Sequence, residues 1–449
     1  MNLTRRDFLF SAAAAPSAAA PARRPNIVFI VSDDHGYGDV SCYPHPREVS
    51  TPNIDRIARR GIRFEQGYAN CYVCAPTRAA LLTGRYPQRY GFYTASDSRA
   101  GLPLSETTLA GVLKQAGYAT GAFGKWHLGI QPPYHPMKRG FDEFYGFLGH
   151  GGHDYFDLKP TGEIFTSILR GYDPIEETGY LTDNIGREAL SFVARNGHRP
   201  FFLYLAFNAV HFPMQAPREL IRKYDTGKPD RDILMAMLEA EDRAIGRLLD
   251  ELDRRRLSGD TLLFFISDNG GARANSSNNG ALRDYKASVY EGGIRVPFLV
   301  SWPGRLPENT VSREPVMSMD LMPTAAAAAG APLPREIEGR DMLPVLTGAS
   351  SGPLHQALFW DASEGRTAVR SGPWKLVANN GRTELFNLEE DLSEKRDLSA
   401  QRPETVTRLR GLFEDWSRRN LPRIRKGGEE GKGASGRREG RKRAKKSGL

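Results

Sequence analysis

The sequence predicts an α/β fold, with a mostly parallel central sheet flanked by helices and a smaller C-terminal antiparallel sheet with a helix. Two observations predict it. Apolar runs typical of strands buried on both faces alternate with segments of helical spacing. After about residue 340, short strand segments instead follow one another closely, separated by Gly, Asn and Pro. The chain has 449 residues, 40% of them hydrophobic, so it can bury a large core in one large and one small domain.

The elements of the large domain, expected over residues 23–340, begin with an apolar strand at 26–32. A helix is expected over 51–61, because Pro52 suits a first helical position and Gly61 marks a stop. The further pairs of helix and strand are 108–117 with 118–123, 183–195 with 200–207, and 239–255 with 261–267. Polar residues follow all four strands, so a ligand-binding crevice should lie at the carboxyl ends of the strands.

The small domain is expected over residues 341–424. Its strand segments are 357–360, 367–370, 374–378 and 383–386, and a helix should run from about 404 to 418. Antiparallel pairing is favoured because parallel neighbours need long connections.

The two ends of the chain differ in composition from the rest. Residues 1–22 combine Arg5-Arg6, a short apolar segment and small residues, which indicates a twin-arginine export signal and a periplasmic or extracellular protein. Residues 425–449 hold ten Lys or Arg and three Glu without an aromatic residue, which predicts a disordered basic tail. We expect this tail to be solvated or to make weak electrostatic contacts with polyanions, and nothing predicts a specific nucleic-acid partner.

Four polar side chains follow two of the predicted strands. They are Asp33 and Asp34 after the first strand, and Asp268 and Asn269 after the strand at 261–267. Singly, each Asp could be a turn residue. Together they offer only oxygen ligands, which suit Ca²⁺ or Mg²⁺, and grouped carboxylates repel unless a cation neutralises them. A hard-cation site is therefore expected.

Lysine and histidine side chains recur near the same glycine-rich strand ends. Lys125 and His127 follow the second strand, His211 follows the third, and Lys286 lies beyond the fourth. Taken alone, such lysines are ordinarily solvated and such histidines structural. As a set they suit a doubly charged tetrahedral oxyanion, whose oxygens accept charge-assisted hydrogen bonds.

The stretch Cys74-Ala-Pro-Thr-Arg78 has the pattern C-x-P-x-R, and a run of helix-forming residues follows it. Pro76 suits a first helical turn, so Cys74 should lie at the positive end of a helix. Of the three cysteines, an odd number, at least one is unpaired. A buried structural cysteine is the alternative interpretation of this motif by itself.

The motif resembles the modification motif of the formylglycine-dependent sulfatases of the alkaline phosphatase superfamily. The resemblance extends over roughly residues 25–340. Five further segments occur in the order seen in that family: the acidic pair Asp33-Asp34, Gly124-Lys125-Trp126-His127, His211, Asp268-Asn269-Gly270 and Lys286. Within the family, the chain is similar to the group of arylsulfatases and N-acetylgalactosamine-6-sulfatases. The resemblance implies an alkaline phosphatase-like fold and a sulfatase activity.

The resemblance also implies the roles of single residues. A separate maturation enzyme would oxidise Cys74 to formylglycine, and Asp33, Asp34, Asp268, Asn269 and residue 74 would bind Ca²⁺, with Mg²⁺ as the alternative. One hydroxyl of the hydrated aldehyde attacks sulfur and the second allows sulfate to be released. Lys125 and Lys286 would hold sulfate oxygens, Arg78 would orient residue 74, His211 would protonate the leaving oxygen and His127 would accept a proton.

The expected substrate is a sulfated small molecule or glycan. The Gly-rich and aromatic stretch 149–156 is either a wall of a sugar subsite or a plain surface loop. Two other functions stay open: a phosphodiesterase or phosphonate monoester hydrolase with the same nucleophile, and a non-catalytic polysaccharide-binding protein that uses the basic tail. The last would make Cys74 dispensable.

Overall fold

The computed structural model describes residues 24–44, 46–149, 151–362 and 365–424. The predictions of an export signal over residues 1–22 and of a basic tail over residues 425–449 lie outside these ranges. None of the helices within the ranges combines the length and the apolar composition needed to cross a membrane.

The strands form a ten-stranded sheet, a two-stranded ribbon and a four-stranded sheet. In chain order they are β1 (Asn26–Ser32), β2 (Gly61–Phe64), β3 (Gly67–Tyr68), β4 (Ala119–Lys125), β5 (Glu143–Phe147), β6 (Leu169–Arg170), β7 (Asp173–Pro174), β8 (Phe201–Ala206), β9 (Thr261–Ser267), β10 (Phe298–Ser301), β11 (Thr310–Ser312), β12 (Val316–Met317), β13 (Leu358–Asp361), β14 (Thr367–Ser371), β15 (Trp374–Asn379) and β16 (Arg382–Asn387).

The large sheet has the order β11-β2-β10-β9-β1-β8-β4-β5-β6-β7. The five central strands, β9, β1, β8, β4 and β5 in spatial order, run parallel. On one side of them, β10 pairs antiparallel with β9 and with β2; on the other side, β6 pairs antiparallel with β5. The predicted mostly parallel sheet is therefore confirmed. Ser32 pairs with Ser267 and Val31 with Ala206, so β1, β8 and β9 end at nearly the same level.

Helices cover both faces of this sheet. In chain order the helices are α1 (Pro52–Arg59), α2 (Cys74–Thr83), α3 (Leu109–Gln115), α4 (Leu181–Asn196), α5 (Arg218–Ile221), α6 (Pro229–Arg254), α7 (Glu291–Ile294), α8 (Leu321–Ala329), α9 (Leu343–Leu346) and α10 (Pro403–Ser417). Val28 and Ile30 of β1 pack into a core with α1, α4 and α6, whereas Ile27, Phe29 and Val31 pack into a second core with α2, α3 and α8. A strand with a core on each face needs the continuous apolar sequence that β1 has.

Helix α6 begins ten residues earlier than the predicted start at residue 239. Pro229 occupies its first turn together with Asp230 and Asp232, which suit the positive end of a helix. The first ten residues of α6 continue the apolar pattern, since Leu234 and most of the residues around it are buried. The helix therefore extends across the sheet over 26 residues.

The C-terminal strands form the predicted antiparallel sheet, in the order β13-β14-β15-β16. Helix α10 packs on one face through Leu409, which lies in a small core with β14 to β16. The other face contacts the large unit, because Trp360 of β13 shares a core with Tyr68 and Tyr86. The indole Nε1 of Trp360 also donates a hydrogen bond to the carbonyl of Ala69 at 2.8 Å.

Candidate active site

The carboxyl ends of four parallel strands meet at one edge of the large sheet and carry most of the predicted site residues. Asp33 and Asp34 follow β1 directly, Asp268 and Asn269 follow β9, and Lys125 is the last residue of β4. The remaining site residues are His127 after β4, His211 five residues beyond β8, Cys74 and Arg78 on α2, and Lys286 in the loop between β9 and α7. The contacts described below join them into one cluster.

Asp33 and Asp268 lie at the centre of this cluster, and both are fully buried. Burial by itself would raise the pKa of Asp33, but the charges of Lys125, His211 and Arg78 hold it well below its usual range. Burial, together with repulsion from Asp33, raises the pKa of Asp268 to about 6. Two carboxylates therefore share one buried position, and they require cationic neighbours to remain ionised.

Asp34 and Asn269 complete the set of oxygen donors. The amide of Asn269 donates to Asp34 Oδ1 at 2.7 Å, which leaves the Asn269 Oδ1 atom buried without a hydrogen-bond partner. The Oδ1 atom of Asp33 is likewise buried without a partner. Unpartnered buried oxygens are costly, and a hard cation is the ligand that such a donor set fits.

Cys74 is the first residue of α2, and its side chain is buried. Its sulfur and one carboxylate oxygen each of Asp33 and Asp268 lie within 4.8 Å of one another. Burial raises the pKa of the Cys74 thiol, although Lys125 and Lys286 oppose this effect. The unmodified side chain is therefore held as a thiol next to two carboxylates, not as a thiolate nucleophile.

Arg78 lies one helical turn after Cys74 and is fully buried. Its Nε and Nη2 atoms are 2.8 and 2.7 Å from Asp268 Oδ2, and Nη2 is 3.3 Å from Asp33 Oδ2. Nη1 donates to the carbonyl of Lys125 at 3.2 Å. The guanidinium thus joins α2 to the ends of β1, β4 and β9, a function that suits its planar fork of donors.

The two lysines approach the carboxylates from opposite sides. Lys125 Nζ lies 2.5 Å from Asp33 Oδ2, and Lys286 Nζ lies 2.5 Å from Asp34 Oδ1. Burial by itself would lower the pKa of Lys286, but Asp34, Cys74 and Asp33 raise it far above its usual range. The Nζ atoms of both lysines therefore lie within reach of any anion that enters the cluster.

The two histidines differ in their surroundings. Both ring nitrogens of His127 are buried without a hydrogen-bond partner, and burial, followed by the charge of Lys125, lowers its pKa well below 6.5. His211 is partly exposed, and its Nδ1–H donates to the carbonyl of Phe212 at 2.7 Å. Its Nε2 atom faces Asp34 Oδ2 at 3.7 Å. The free nitrogens of both rings are thus available for proton transfer.

The backbone at these strand ends adopts conformations that side chains seldom allow. Asp34 and His127 have φ values of 60° and 61°, in the left-handed region. Gly124, which precedes Lys125, has φ of 110°, and a Cβ atom there would lie 1.9 Å from the carbonyl oxygen of Ala206. Such conformations concentrate at functional sites, where the surrounding structure maintains them.

The structure also brings in residues that the sequence reasoning missed. Tyr204 of β8 is buried beside Arg78, and burial raises its pKa to about 12 although the charge of Arg78 opposes this. Behind the acidic pair, His35 contacts the hydroxyl of Ser32 at 3.1 Å and Glu241 at 3.4 Å. Tyr204 lies within a continuous apolar run, and Glu241 lies on a helix far along the chain, so neither gave a sequence signal.

A cavity of about 440 Å³ lies next to the cluster. Its lining includes Gly149, Gly152, His153 and Asp154 from the predicted stretch 149–156, of which residue 150 is outside the described ranges. Gly152 lies so close to His211 that a Cβ atom at this position would be 2.7 Å from Nδ1 of the ring. The stretch is therefore close enough to the cluster to contact a substrate bound there.

The fold defines the class of the protein. A phosphonate monoester hydrolase of Agrobacterium radiobacter has the same fold at 18% identity, with a TM-score of 0.68 over 88% of this chain and 95% of that one. The two proteins therefore share the α/β architecture, which is the fold class that the sequence predicts.

The comparisons then define the family within that class. Residues 25–331 match the family model described as Sulfatase, and residues 283–412 match that of N-sulphoglucosamine sulphohydrolase, C-terminal. The chain therefore belongs to the sulfatase family. It is 38% identical to human arylsulfatase A (79% of this chain, 75% of the relative) and 36% identical to N-acetylgalactosamine-6-sulfatase of Canis lupus familiaris (82% and 74%). Among solved structures, Ps i-CgsB is 37% identical, with a TM-score of 0.84 over 89% of this chain and 94% of that one.

Proposed function

We propose that this protein hydrolyses sulfate monoesters of a sulfated carbohydrate, with an oxidised form of Cys74 as the nucleophile. One observation carries the proposal: the Cys74 sulfur lies within 4.8 Å of the Asp33 and Asp268 carboxylates. In the unmodified chain, burial keeps this side chain a thiol. Oxidation to a hydrated aldehyde supplies a geminal pair of hydroxyls at this position, one to attack sulfur and one to permit release of sulfate.

Asp33, Asp34, Asp268, Asn269 and residue 74 are the proposed ligands of a divalent cation. The unpartnered oxygens of Asp33 and Asn269 support Ca²⁺, with Mg²⁺ as the alternative, because both ions take oxygen ligands. The chemistry that such a cation supplies is to lower the pKa of a hydroxyl that it binds. Arg78 would then serve two purposes, since it neutralises Asp33 and Asp268 and holds them in place.

Lys125 and Lys286 are the proposed ligands of the sulfate oxygens. Each now contacts a carboxylate that we assign to the cation, at 2.5 Å. With the charges of Asp33 and Asp34 neutralised by a bound cation, both ammonium groups would be free to donate hydrogen bonds to the substrate. The two lysines and the start of α2 would then surround the transferred group with positive charge, which stabilises the developing oxyanion.

The histidines are the proposed proton carriers. Nε2 of His211 is the ring atom placed to protonate the leaving oxygen, because Nδ1 donates to Phe212. It has a proton to give only in the imidazolium form; burial lowers the pKa of the ring, and Asp34 and Asp33 oppose this effect. His127 is neutral and its two nitrogens are unpartnered, so it can accept the proton of the second hydroxyl when sulfate is released. Each turnover then returns both rings to their starting protonation states through solvent.

A carbohydrate substrate is supported by the relatives and by the cavity next to the cluster. One relative is an N-acetylgalactosamine-6-sulfatase, and Ps i-CgsB has also been solved in complex with k-i-k-neocarrahexaose. The 440 Å³ cavity, which polar residues such as His153 and Asp154 line in part, is large enough for a sugar residue. We therefore propose a sulfated glycan as the substrate.

We also propose how the chain is exported and modified, and how it divides into domains. A twin-arginine signal over residues 1–22 would direct export, and a formylglycine-generating maturation enzyme would act on Cys74. Residues 23–340 would form the catalytic domain and residues 341–424 the C-terminal subdomain. The basic tail over 425–449 would make weak electrostatic contacts at most.

The test compares the protein, produced together with the maturation enzyme, with its Cys74→Ala and Cys74→Ser variants. We expect turnover of an aryl sulfate by the parent and none by Cys74→Ala. Each molecule of Cys74→Ser should release at most one phenol and keep the sulfate as an ester at residue 74, because a single hydroxyl cannot expel it. Mass spectrometry of the parent should show the change from thiol to aldehyde. Full activity with an unmodified thiol, or a higher kcat/KM for an aryl phosphodiester than for the aryl sulfate, would contradict the proposal.

A further inference from the structure

A cleft of about 720 Å³, larger than the cavity beside His211, lies between the large unit and the C-terminal sheet. We call it the arginine cleft, after three residues of its lining: Arg273, Arg283 and Arg382. Arg273 belongs to the loop after β9, whereas Arg382 is the first residue of β16. The volume falls within the range of pockets that bind small molecules.

The three arginines differ in how they are held. Arg283 is fixed, because it stacks 3.7 Å above the ring of Tyr290, donates to the Glu394 carbonyl at 2.8 Å and lies 3.4 Å from Glu384. Arg273 and Arg382 are exposed, and neither forms an ion pair with another of the described residues. Two guanidinium groups on opposite walls of the cleft are thus free to bind an anion.

The two carboxylates of the cleft leave one of its three positive charges uncompensated. Glu384 accepts a hydrogen bond from the Tyr290 hydroxyl and lies close to Arg283, so its charge is already paired. Asp284 is exposed, with φ of 71°, and is the second acidic residue of the lining. Three arginines therefore face two acidic residues. The guanidinium groups of Arg283 and Arg273 lie over one face of the Tyr290 and Tyr285 rings, so a sugar ring would contact the opposite face.

The arginine cleft adjoins the catalytic cluster through the chain itself. Tyr285, which the guanidinium of Arg273 covers at 4.5 Å, immediately precedes Lys286. The backbone N–H of Lys286 also donates to the carbonyl of Gly271, two residues before Arg273, at 3.0 Å. Part of the lining of the cleft and the Lys286 side chain therefore belong to the same loop, at consecutive positions of the chain.

We propose that the arginine cleft binds a second anionic group, a sulfate ester or a carboxylate, on a sugar residue next to the one that carries the scissile sulfate. Arg273 and Arg382 donate charge-assisted hydrogen bonds to this group, and Tyr285 contacts the sugar ring. This inference rests on the proposed function. It specifies the substrate class: the enzyme prefers oligosaccharides that carry at least two negative charges over singly sulfated ones.

The experiment uses Arg273→Gln, Arg382→Gln and the double variant in the fully matured protein. The readout is the ratio of kcat/KM for an oligosaccharide with a neighbouring sulfate or carboxylate to kcat/KM for the same oligosaccharide without it. We expect about a tenfold fall of this ratio for each single variant, and a larger fall for the double variant. This ratio is measured separately for a neighbouring sulfate and for a neighbouring carboxylate, which shows which of the two anions the cleft selects.

Arg305→Gln is the matched control. This exposed arginine follows β10, whose last residue, Ser301, pairs with Leu263 near the start of β9, so Arg305 lies near the amino ends of the parallel strands, away from the site. It removes the same charge and should leave the ratio unchanged. Calorimetric binding of the doubly charged oligosaccharide to the Cys74→Ala protein tests the cleft without turnover, and the arginine substitutions should weaken that binding by a similar factor.

Two outcomes would overturn the inference: a parent ratio near one, or a ratio that Arg305→Gln lowers as much as Arg273→Gln does. Failure of the proposed function gives a different result, since the parent would then hydrolyse no sulfate monoester at all, including a small aryl sulfate. The two failures are therefore distinguishable.

Discussion

A buried lysine of the C-terminal sheet provides the most direct test of how the small sheet supports the large unit. Lys375 of β15 lies 2.8 Å from Glu291 and 2.9 Å from Glu394, and all three side chains are inaccessible to solvent. Glu291 is the first residue of α7, and its backbone N–H donates to Glu394 at 2.7 Å. Lys375 therefore neutralises two carboxylates that would otherwise repel each other.

Lys375→Met removes the charge and retains much of the apolar stem. Glu291 keeps hydrogen bonds from Tyr68 and Arg295, so Glu394 is the carboxylate that must become neutral in the variant. Keeping Glu394 neutral costs about 1.4 kcal/mol for each pH unit above its reference pKa of 4.5. The parent, in which the pKa of Glu394 is about 7, already bears about 3 kcal/mol of that cost at pH 8. Through this carboxylate the variant should therefore be about 1.5 kcal/mol less stable than the parent at pH 8, and nearly as stable as the parent at pH 5.

The assay is urea unfolding followed by circular dichroism at pH 5 and pH 8. Lys395→Met is the control, because this exposed lysine lies next to Glu394 and its side chain forms no ion pair with another described residue. The control should change stability by less than about 0.5 kcal/mol at either pH. An equal loss for Lys375→Met at both pH values would show that its charge does not act through Glu394, and would refute the reasoning.

Two further predictions concern Glu394 and Arg78. Burial, reinforced by Glu291, raises the pKa of Glu394 to about 7, so its contribution to stability is complete below pH 4.5 and is lost as the pH rises through 7. Glu394→Gln should therefore reduce the loss of stability between pH 5 and pH 8 by up to about 3 kcal/mol, and identical pH profiles of unfolding for parent and variant would contradict this. Arg78→Lys should lower kcat/KM for an aryl sulfate by about 100-fold or more, because one ammonium cannot replace the contacts of Arg78 to Asp268 and to the Lys125 carbonyl. Retention of the parent kcat/KM in a folded Arg78→Lys protein, as shown by its melting temperature, would contradict the proposed role.

Much of the central sheet was predictable because its central strands, such as β1, β8 and β9, have a core on both faces. The bounds of β1 and β9 agree with the prediction, since both strands are uninterrupted apolar runs bounded by polar residues. Strand β6 and the edge strand β7 are each two residues long and mostly exposed, so they lack such a pattern. Strand β5 was also missed, because Glu143 and Gly146 interrupt its apolar residues.

By itself, the sequence determined the α/β class, the antiparallel C-terminal sheet and the identities of the residues that cluster at the strand ends. These properties depend on local patterns, such as apolar runs, helix starts and the order of short motifs along the chain. Only the tertiary structure decided the ion pairs of Lys125 and Lys286, the buried positions of Tyr204 and Glu241, and the arginine cleft. Arg273 and Arg382 are 109 positions apart in the chain and have no shared pattern. They line one cleft because the C-terminal sheet packs against the large unit, and contacts between distant segments depend on the packing of whole elements and not on local sequence.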